Sequence, residues 1–217
     1  MQCGGEPIYV WVGGSFIATL PGAIVRFACR GSACTAIPTV TSSAVWDLSA
    51  RDNDAWVVGM DGQILHCSDL GCSIIYQGAK YSIRAISTDE DGTGWAVGTN
   101  GTILKCSGSS CVSVASGTAA VLVAVSASRL LTLVSTGGGY LACTGSTCTT
   151  VSVVGRADSI SVNSQGEGWL VGYGGWVNYC KGATCSTLPS GTTKNLTRVR
   201  ADELGGAWVV GESGTLL

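Results

Sequence analysis

A single histidine, His66, in 217 residues removes much of the chemistry that side chains perform. No Ser/His/Asp constellation can be built convincingly around one imidazole, and Cys-x4-Cys spacing without further His or Cys nearby is not a zinc pattern. His66 itself precedes a cysteine on a predicted strand and reads as a solvent-facing strand residue. Charge is scarce too: only 12% of residues are charged and the net charge is −2, so there is no basic footprint for DNA or RNA. Proline is limited to Pro7, Pro21, Pro38 and Pro189, at predicted turns or strand edges, and no segment has sustained helical periodicity. Without helices, no Gly-rich loop can open onto a helix N-terminus to cradle phosphate. The apolar stretch Ile8–Val25 approaches membrane-span length, but Gly13-Gly14 and Pro21-Gly22 interrupt it where hairpin turns are wanted and no basic region precedes it. It reads as the first two strands of a repeat, with no membrane span; a signal peptide is expected to have been removed or to lie upstream.

What the chain does have is regular punctuation. Eleven cysteines include five Cys-x4-Cys pairs: Cys29/Cys34, Cys67/Cys72, Cys106/Cys111, Cys143/Cys148 and Cys180/Cys185. Their leading members lie 38, 39, 37 and 37 residues apart. Positions i and i+5 flanking a four-residue loop face each other across two antiparallel strands, within disulfide reach. Each closure is worth on the order of 2 kcal/mol in the chain-entropy model. Five such bonds predict an oxidising address: extracellular, cell-surface or periplasmic.

Between the cysteine pairs, tight turns such as Asp61-Gly62, Asn100-Gly101 and Gly174-Gly175 separate runs rich in Val, Ile, Leu and Trp. Such dipeptides supply the positive φ angles of two-residue hairpins. One period then contains four strands, roughly Ile83–Thr88, Trp95–Thr99, Thr102–Cys106 and Cys111–Ala115. Four short strands per repeat of about 40 residues predict an all-β, six-bladed β-propeller in a single domain over residues 1–217. The blades span approximately 8–40, 44–78, 82–117, 120–155, 157–191 and 196–217 plus 1–7. Met1–Pro7 is expected to close the last blade as its outer strand, since an unpaired edge exposes a row of backbone donors and acceptors. The chain is then expected to continue past Leu217 to a cysteine that pairs with Cys3.

The recurring string Trp-x-Val-Gly-x-x-Gly-x followed by Ile or Leu and then Leu, at Trp56–Leu65, Trp95–Leu104 and Trp208–Leu217, resembles the repeats of photosystem II assembly-factor propellers and of bacterial proteins with BNR-like blades. The resemblance covers almost the whole chain at the level of blades. It implies a propeller scaffold and no particular site, because its letters build a blade. Ser87–Trp95 has a passing similarity to the sialidase Asp-box, but the spacing is one residue too long and the segment joins the wrong pair of strands. The scattered arginines do not supply a carboxylate-binding cluster either, so the chain is read as non-enzymatic.

The acidic turns Asp52/Asp54, Asp89/Asp91 and Asp202/Glu203 recur at one place in the unit. They could hold Ca²⁺, yet such loops usually cap strands through their own backbone, so no cofactor or metal is assigned. Trp56, Trp95, Trp169 and Trp208 share a slot on the second strand and are read as packing between blades. Tyr173 and Trp176 at a hairpin tip, with Tyr140, Asn100 and Asp61, are the candidate ligand contacts; Asn195 and Asn100 are candidate glycosylation sites. The sequence thus predicts a non-catalytic extracellular binding, adhesion or assembly module whose partner is a protein or copies of itself. The alternative is a lectin reading glycans at blade tips or between blades.

Overall fold

The computed structural model describes residues 8–14, 23–30, 33–40, 45–52, 54–59, 62–68, 70–78, 83–136, 138–151 and 156–217, with residues 8–40 described through their backbone. Every regular element longer than three residues among them is a β-strand. The chain divides into two compact units, Met1–Ile83 and Arg84–Leu217, where the sequence reading has one domain. Repeat architectures permit this, because each unit contacts only its neighbours.

In the first unit, β1 (Ile8–Gly14), β2 (Ala23–Arg30) and β3 (Ala33–Val40) form one antiparallel sheet, and β4 (Val45–Arg51), β5 (Asp54–Gly59), β6 (Gln63–Ser68) and β7 (Gly71–Gln77) form another. Ile8 lies opposite Cys29 as Ala55 lies opposite Cys67, so β1 is the counterpart of β5, the second strand of its repeat. Ile8–Val25 therefore does not supply the first two strands, as expected, but the second and the start of the third. Periodicity could not reveal this, because apolar strands of one repeat look alike until the cysteine fixes their register.

The second unit contains three further four-stranded sheets and a two-stranded one. Strands β8 (Ile83–Thr88), β9 (Gly94–Gly98), β10 (Ile103–Ser107) and β11 (Ser110–Val114) make one, and β12 (Leu122–Ala127), β13 (Thr132–Thr136), β14 (Gly139–Thr144) and β15 (Thr147–Val151) the next. A third four-stranded sheet follows, β16 (Ala157–Val162), β17 (Glu167–Gly172), β18 (Val177–Lys181) and β19 (Thr184–Leu188), then the pair β20 (Leu196–Ala201) and β21 (Ala207–Gly211). Strands alternate in side-chain direction, and the central strands of the four-stranded sheets are largely buried and apolar on both faces because both are covered. Trp95, Val97 and Ile103 of one sheet pack with Leu122, Val134 and Leu141 of the next. Leu133 and Tyr140 pack with Ala157 and Leu170, and Val171 and Val177 with Leu196 and Val209.

Polar bonds repeat with the same period. Ser87 Oγ accepts the Ala127 N–H at 3.0 Å, Ser126 Oγ the Val162 N–H at 3.0 Å, and Ser161 Oγ the Ala201 N–H at 2.9 Å. Each of these three first strands is thus tied to the first strand of the following sheet by a serine hydroxyl, and β16 by a second, Ser159 Oγ, which accepts the Val199 N–H at 3.1 Å. A buried N–H left without an acceptor costs about 1–3 kcal/mol, so these serines belong to the scaffold as firmly as the apolar core does.

Candidate functional site

The second unit has two differently built ends. At one end the turn after the second strand meets a connection between sheets: Gly101 N–H donates to the Ala120 carbonyl, on the way to the next sheet, at 2.8 Å, and Glu212 N–H to the Asn195 carbonyl, on the way into its own sheet, at 2.9 Å. At the other end the cysteine loop meets the turn between the first and second strands, with Gly182 N–H donating to the Gly166 carbonyl at 3.2 Å. Asn100-Gly101 and Gly174-Gly175 have positive φ at both central positions (55° and 66°; 67° and 79°), as a type I′ turn demands. The connection has its own device, used twice. Ser116 Oγ accepts the Thr118 N–H and Ser190 Oγ the Thr192 N–H, both at 3.3 Å, while Thr118 and Thr192 hydroxyls accept the N–H groups of Ala120 and Lys194 at 3.1 Å.

Inner strands emerging at this end carry a β-bulge. The pairing register shifts between Leu122 and Ala124, between Ala157 and Ser159, and between Leu196 and Arg198. A bulge re-aims one side chain out of the ladder. Here the residues are Val123, 42% exposed, and the exposed Asp158 and Thr197. In the first unit the shift between Val45 and Asp47 does the same for Trp46. The second strand ends in glycine opposite three of these bulges, at Gly59, Gly172 and Gly211; a Cβ at Gly172 would overlap the Arg156 carbonyl and one at Gly211 would crowd that of Asn195.

At the opposite end the acidic turns serve backbone donors. Asp89 Oδ1 accepts from Asp91 and Thr93 N–H at 3.0 and 2.9 Å, and Asp202 Oδ1 from Leu204 and Gly206 N–H at 2.9 and 2.8 Å. Asn163 Oδ1 takes the same place for Glu167 N–H at 2.9 Å. Among the described residues no three His, Cys, Asp or Glu side chains converge as a metal site would require. Glu167 accepts from Asn163 Nδ2 at 3.1 Å, the Tyr179 hydroxyl at 2.9 Å and Lys181 Nζ at 3.4 Å. These bonds, that from Asn163 foremost, hold its carboxyl below its ordinary value of 4.5. A pKa lowered by folding contributes stability that is complete above the unfolded value and is lost as pH falls through the folded one. Denaturant midpoints measured from pH 6 down to pH 3 should therefore fall below about 4.5, and Glu167→Gln should flatten that part of the profile; identical profiles would refute the assignment.

Comparison with known proteins bears on this frame. No protein-family model and no curated protein matches the chain. Among solved structures, one described as YCF48 bound to D1 peptide superposes with a TM-score of 0.65 at 15% identity, over 100% of this chain and 82% of that one. The scaffold is a β-propeller. The WD40 β-propeller domain of Doa1 agrees, with a TM-score of 0.59 at 13% identity over 81% of this chain and 68% of that one. At these identities the likeness concerns the fold alone.

Within the propeller sheets, the disulfides Cys67–Cys72, Cys106–Cys111, Cys143–Cys148 and Cys180–Cys185 each join the third and fourth strands, with Cα atoms 4.0 Å apart. Cys29 and Cys34 are directly opposed in backbone register; Cys3 and Asp61 lie outside the described residues. Of the candidate contacts, Tyr173 is 73% exposed and Asn100 exposed, both at tips. Trp176 is half-buried and packs against the cluster of Leu131 and Tyr140 from the preceding sheet. Tyr140 is a correction: it is wholly buried, because it follows its tip glycines and enters the inward slot held elsewhere by Ile64, Ile103 and Val177. Its hydroxyl accepts from Asn178 Nδ2 at 3.3 Å and lies 3.6 Å from Cys180 Sγ; burial raises its pKa, opposed in part by Asn178. Asn195 bridges two tips, accepting from Gly174 N–H and donating to Glu212 Oε1, both at 2.9 Å, so a glycan on Nδ2 would have to share that space.

The tryptophan slot also divides. Trp56 and Trp95 are buried, Trp169 half-buried, and each lies against its cross-strand neighbour: Trp56 stacks on His66 at 4.4 Å, Trp95 lies under Lys105 Nζ at 5.0 Å, and Trp169 meets Tyr179 at 5.0 Å. His66 is thus a half-buried packing partner with Asp54 Oδ1 at 3.6 Å, not simply solvent-facing. Trp208 is 64% exposed, against expectation: its cross-strand partner on β20 is Arg200, and on the other side of β21 the described pairing with Leu217 is made by Val209. Reading residues one at a time missed the bulge column and the bridge at Asn195. Stacking the repeats would have found the column, because Trp46, Val123, Asp158 and Thr197 share a position and nothing else.

Proposed function

We propose that this chain is a non-catalytic binding and assembly module of six blades, working without a cofactor in an oxidising, extracellular or periplasmic setting, and that its tip end docks a polypeptide segment. The observation that carries the reading is the bulge column. Positions the scaffold needs keep their letters in most blades: Trp in the second strand at Trp56, Trp95, Trp169 and Trp208, Ser in the first at Ser49, Ser87, Ser126 and Ser161, and a Cys pair on the third and fourth. At the bulge the backbone geometry repeats while the side chain changes from apolar Val123 to acidic Asp158 to hydroxylic Thr197. A rigid frame offering a different chemistry at each step suits a partner that runs across several blades. The YCF48 structure, described as bound to a D1 peptide, supports a polypeptide as partner. The disulfides support the location.

Peptides selected from a random library against the whole protein provide the test. They should bind Val123→Glu and Asp158→Arg variants roughly tenfold more weakly, as for central interface residues, and a Leu204→Ser variant at the opposite end unchanged. Selected peptides that ignore both bulge substitutions would remove the reading.

A further inference from the structure

The tip at Tyr173 departs from its counterparts in a way the scaffold does not require. The equivalent residue is Thr99 in the β9–β10 hairpin, half-buried, and Glu212 after β21. Tyr173 instead holds an aromatic ring 73% exposed. The turn beneath it is closed by Trp176 N–H to the Tyr173 carbonyl at 3.3 Å and by Gly172 N–H to the Trp176 carbonyl at 3.0 Å. Asn195 Oδ1 pins its middle through Gly174 N–H, and Asn195 Nδ2 fixes Glu212 Oε1. Glu212 N–H returns a bond to the Asn195 carbonyl. The exposed ring of Tyr173 thus precedes a turn residue pinned by Asn195, whose amide also orients the Glu212 carboxylate, and Glu212 Oε2 has no hydrogen-bond partner among the described residues.

These are the groups that recognise a sugar ring. The C–H face of a pyranose is apolar and covers an aromatic face, while its hydroxyls donate to a planar carboxylate oxygen and accept from an amide. We propose that Tyr173, Asn195 and Glu212 form a subsite for a neutral pyranose, a binding function separate from polypeptide docking. An acidic sugar would set its own carboxylate against Glu212, so neutrality is part of the assignment.

Saturation-transfer NMR on the whole protein tests it, using methyl mannoside, galactoside and glucoside, and methyl glucuronide as the acidic counterpart. Concentrations on the order of 10 mM suit a single stacking contact. At least one neutral glycoside should receive transfer. Tyr173→Ala should weaken binding at least tenfold with an unchanged melting temperature, Tyr173→Phe should retain it, and Glu212→Gln should reduce it. Absence of transfer to every neutral glycoside, equal binding by Tyr173→Ala, or preference for the glucuronide would overturn the proposal. The peptide selection does not depend on Tyr173, so either reading can fail alone.

Discussion

Gly101→Ala should lower folding stability by roughly 3 kcal/mol, while Gly117→Ala, only sixteen positions away, should cost about 1 kcal/mol. Both glycines have positive φ, 66° and 71°, so the intrinsic penalty of placing an L side chain there is the same. Their surroundings differ. A Cβ at Gly101 would overlap the Thr118 carbonyl oxygen and come within 2.7 Å of Ser116 Oγ, whereas nothing lies within 4 Å of one at Gly117. Relief at Gly101 requires the Ser116–Thr118 turn to move, and with it the bond from Gly101 N–H to the Ala120 carbonyl. Gly175 stands in the same relation to Thr192 and Ser190 and should repeat the large effect. Equilibrium urea denaturation reads the difference; equal losses at Gly101 and Gly117 would mean that the tip does not rest on the connection.

The second large effect concerns Tyr140 and Asn178, a polar pair in two neighbouring sheets at positions where β10 has Ile103 and Leu104. Both are buried, and Asn178 Nδ2 donates to the Tyr140 hydroxyl. Tyr140→Phe strands that donor and Asn178→Leu strands the hydroxyl, each at about 1–3 kcal/mol. Combining them removes both polar groups and should recover most of the loss, because an apolar pair of similar shape satisfies the site. A double-mutant cycle by denaturation should therefore show a combined loss well below the sum of the singles. Strict additivity would show that the two groups do not depend on each other.

The hairpins were legible in the sequence because Cys-x4-Cys leaves one register for the third and fourth strands, and Asn100-Gly101 leaves one turn type. Local constraints of that kind act over a few residues and leave a local trace. The face-to-face packing of Trp95 was legible for a related reason, its recurrence among apolar neighbours. Trp208 has the same flanking letters as the buried Trp56 and a different fate, since exposure depends on what lies across from a residue and not on its own strand. Tyr140 and Tyr173 both adjoin paired glycines, and only the side of the turn on which each stands separates a core residue from a tip. The bulges were not legible residue by residue, because a one-residue slip in pairing leaves no mark on the slipping strand's composition.

Each of the four described cross-links spans a sequence separation of 5 and stays inside one hairpin. During synthesis, each of these sulfurs therefore meets its mate within moments of emerging and before the next of these pairs exists. The eight cysteines paired in this way can oxidise in order along the chain, with little opportunity for scrambled connectivity among them and little need for an isomerase to correct it.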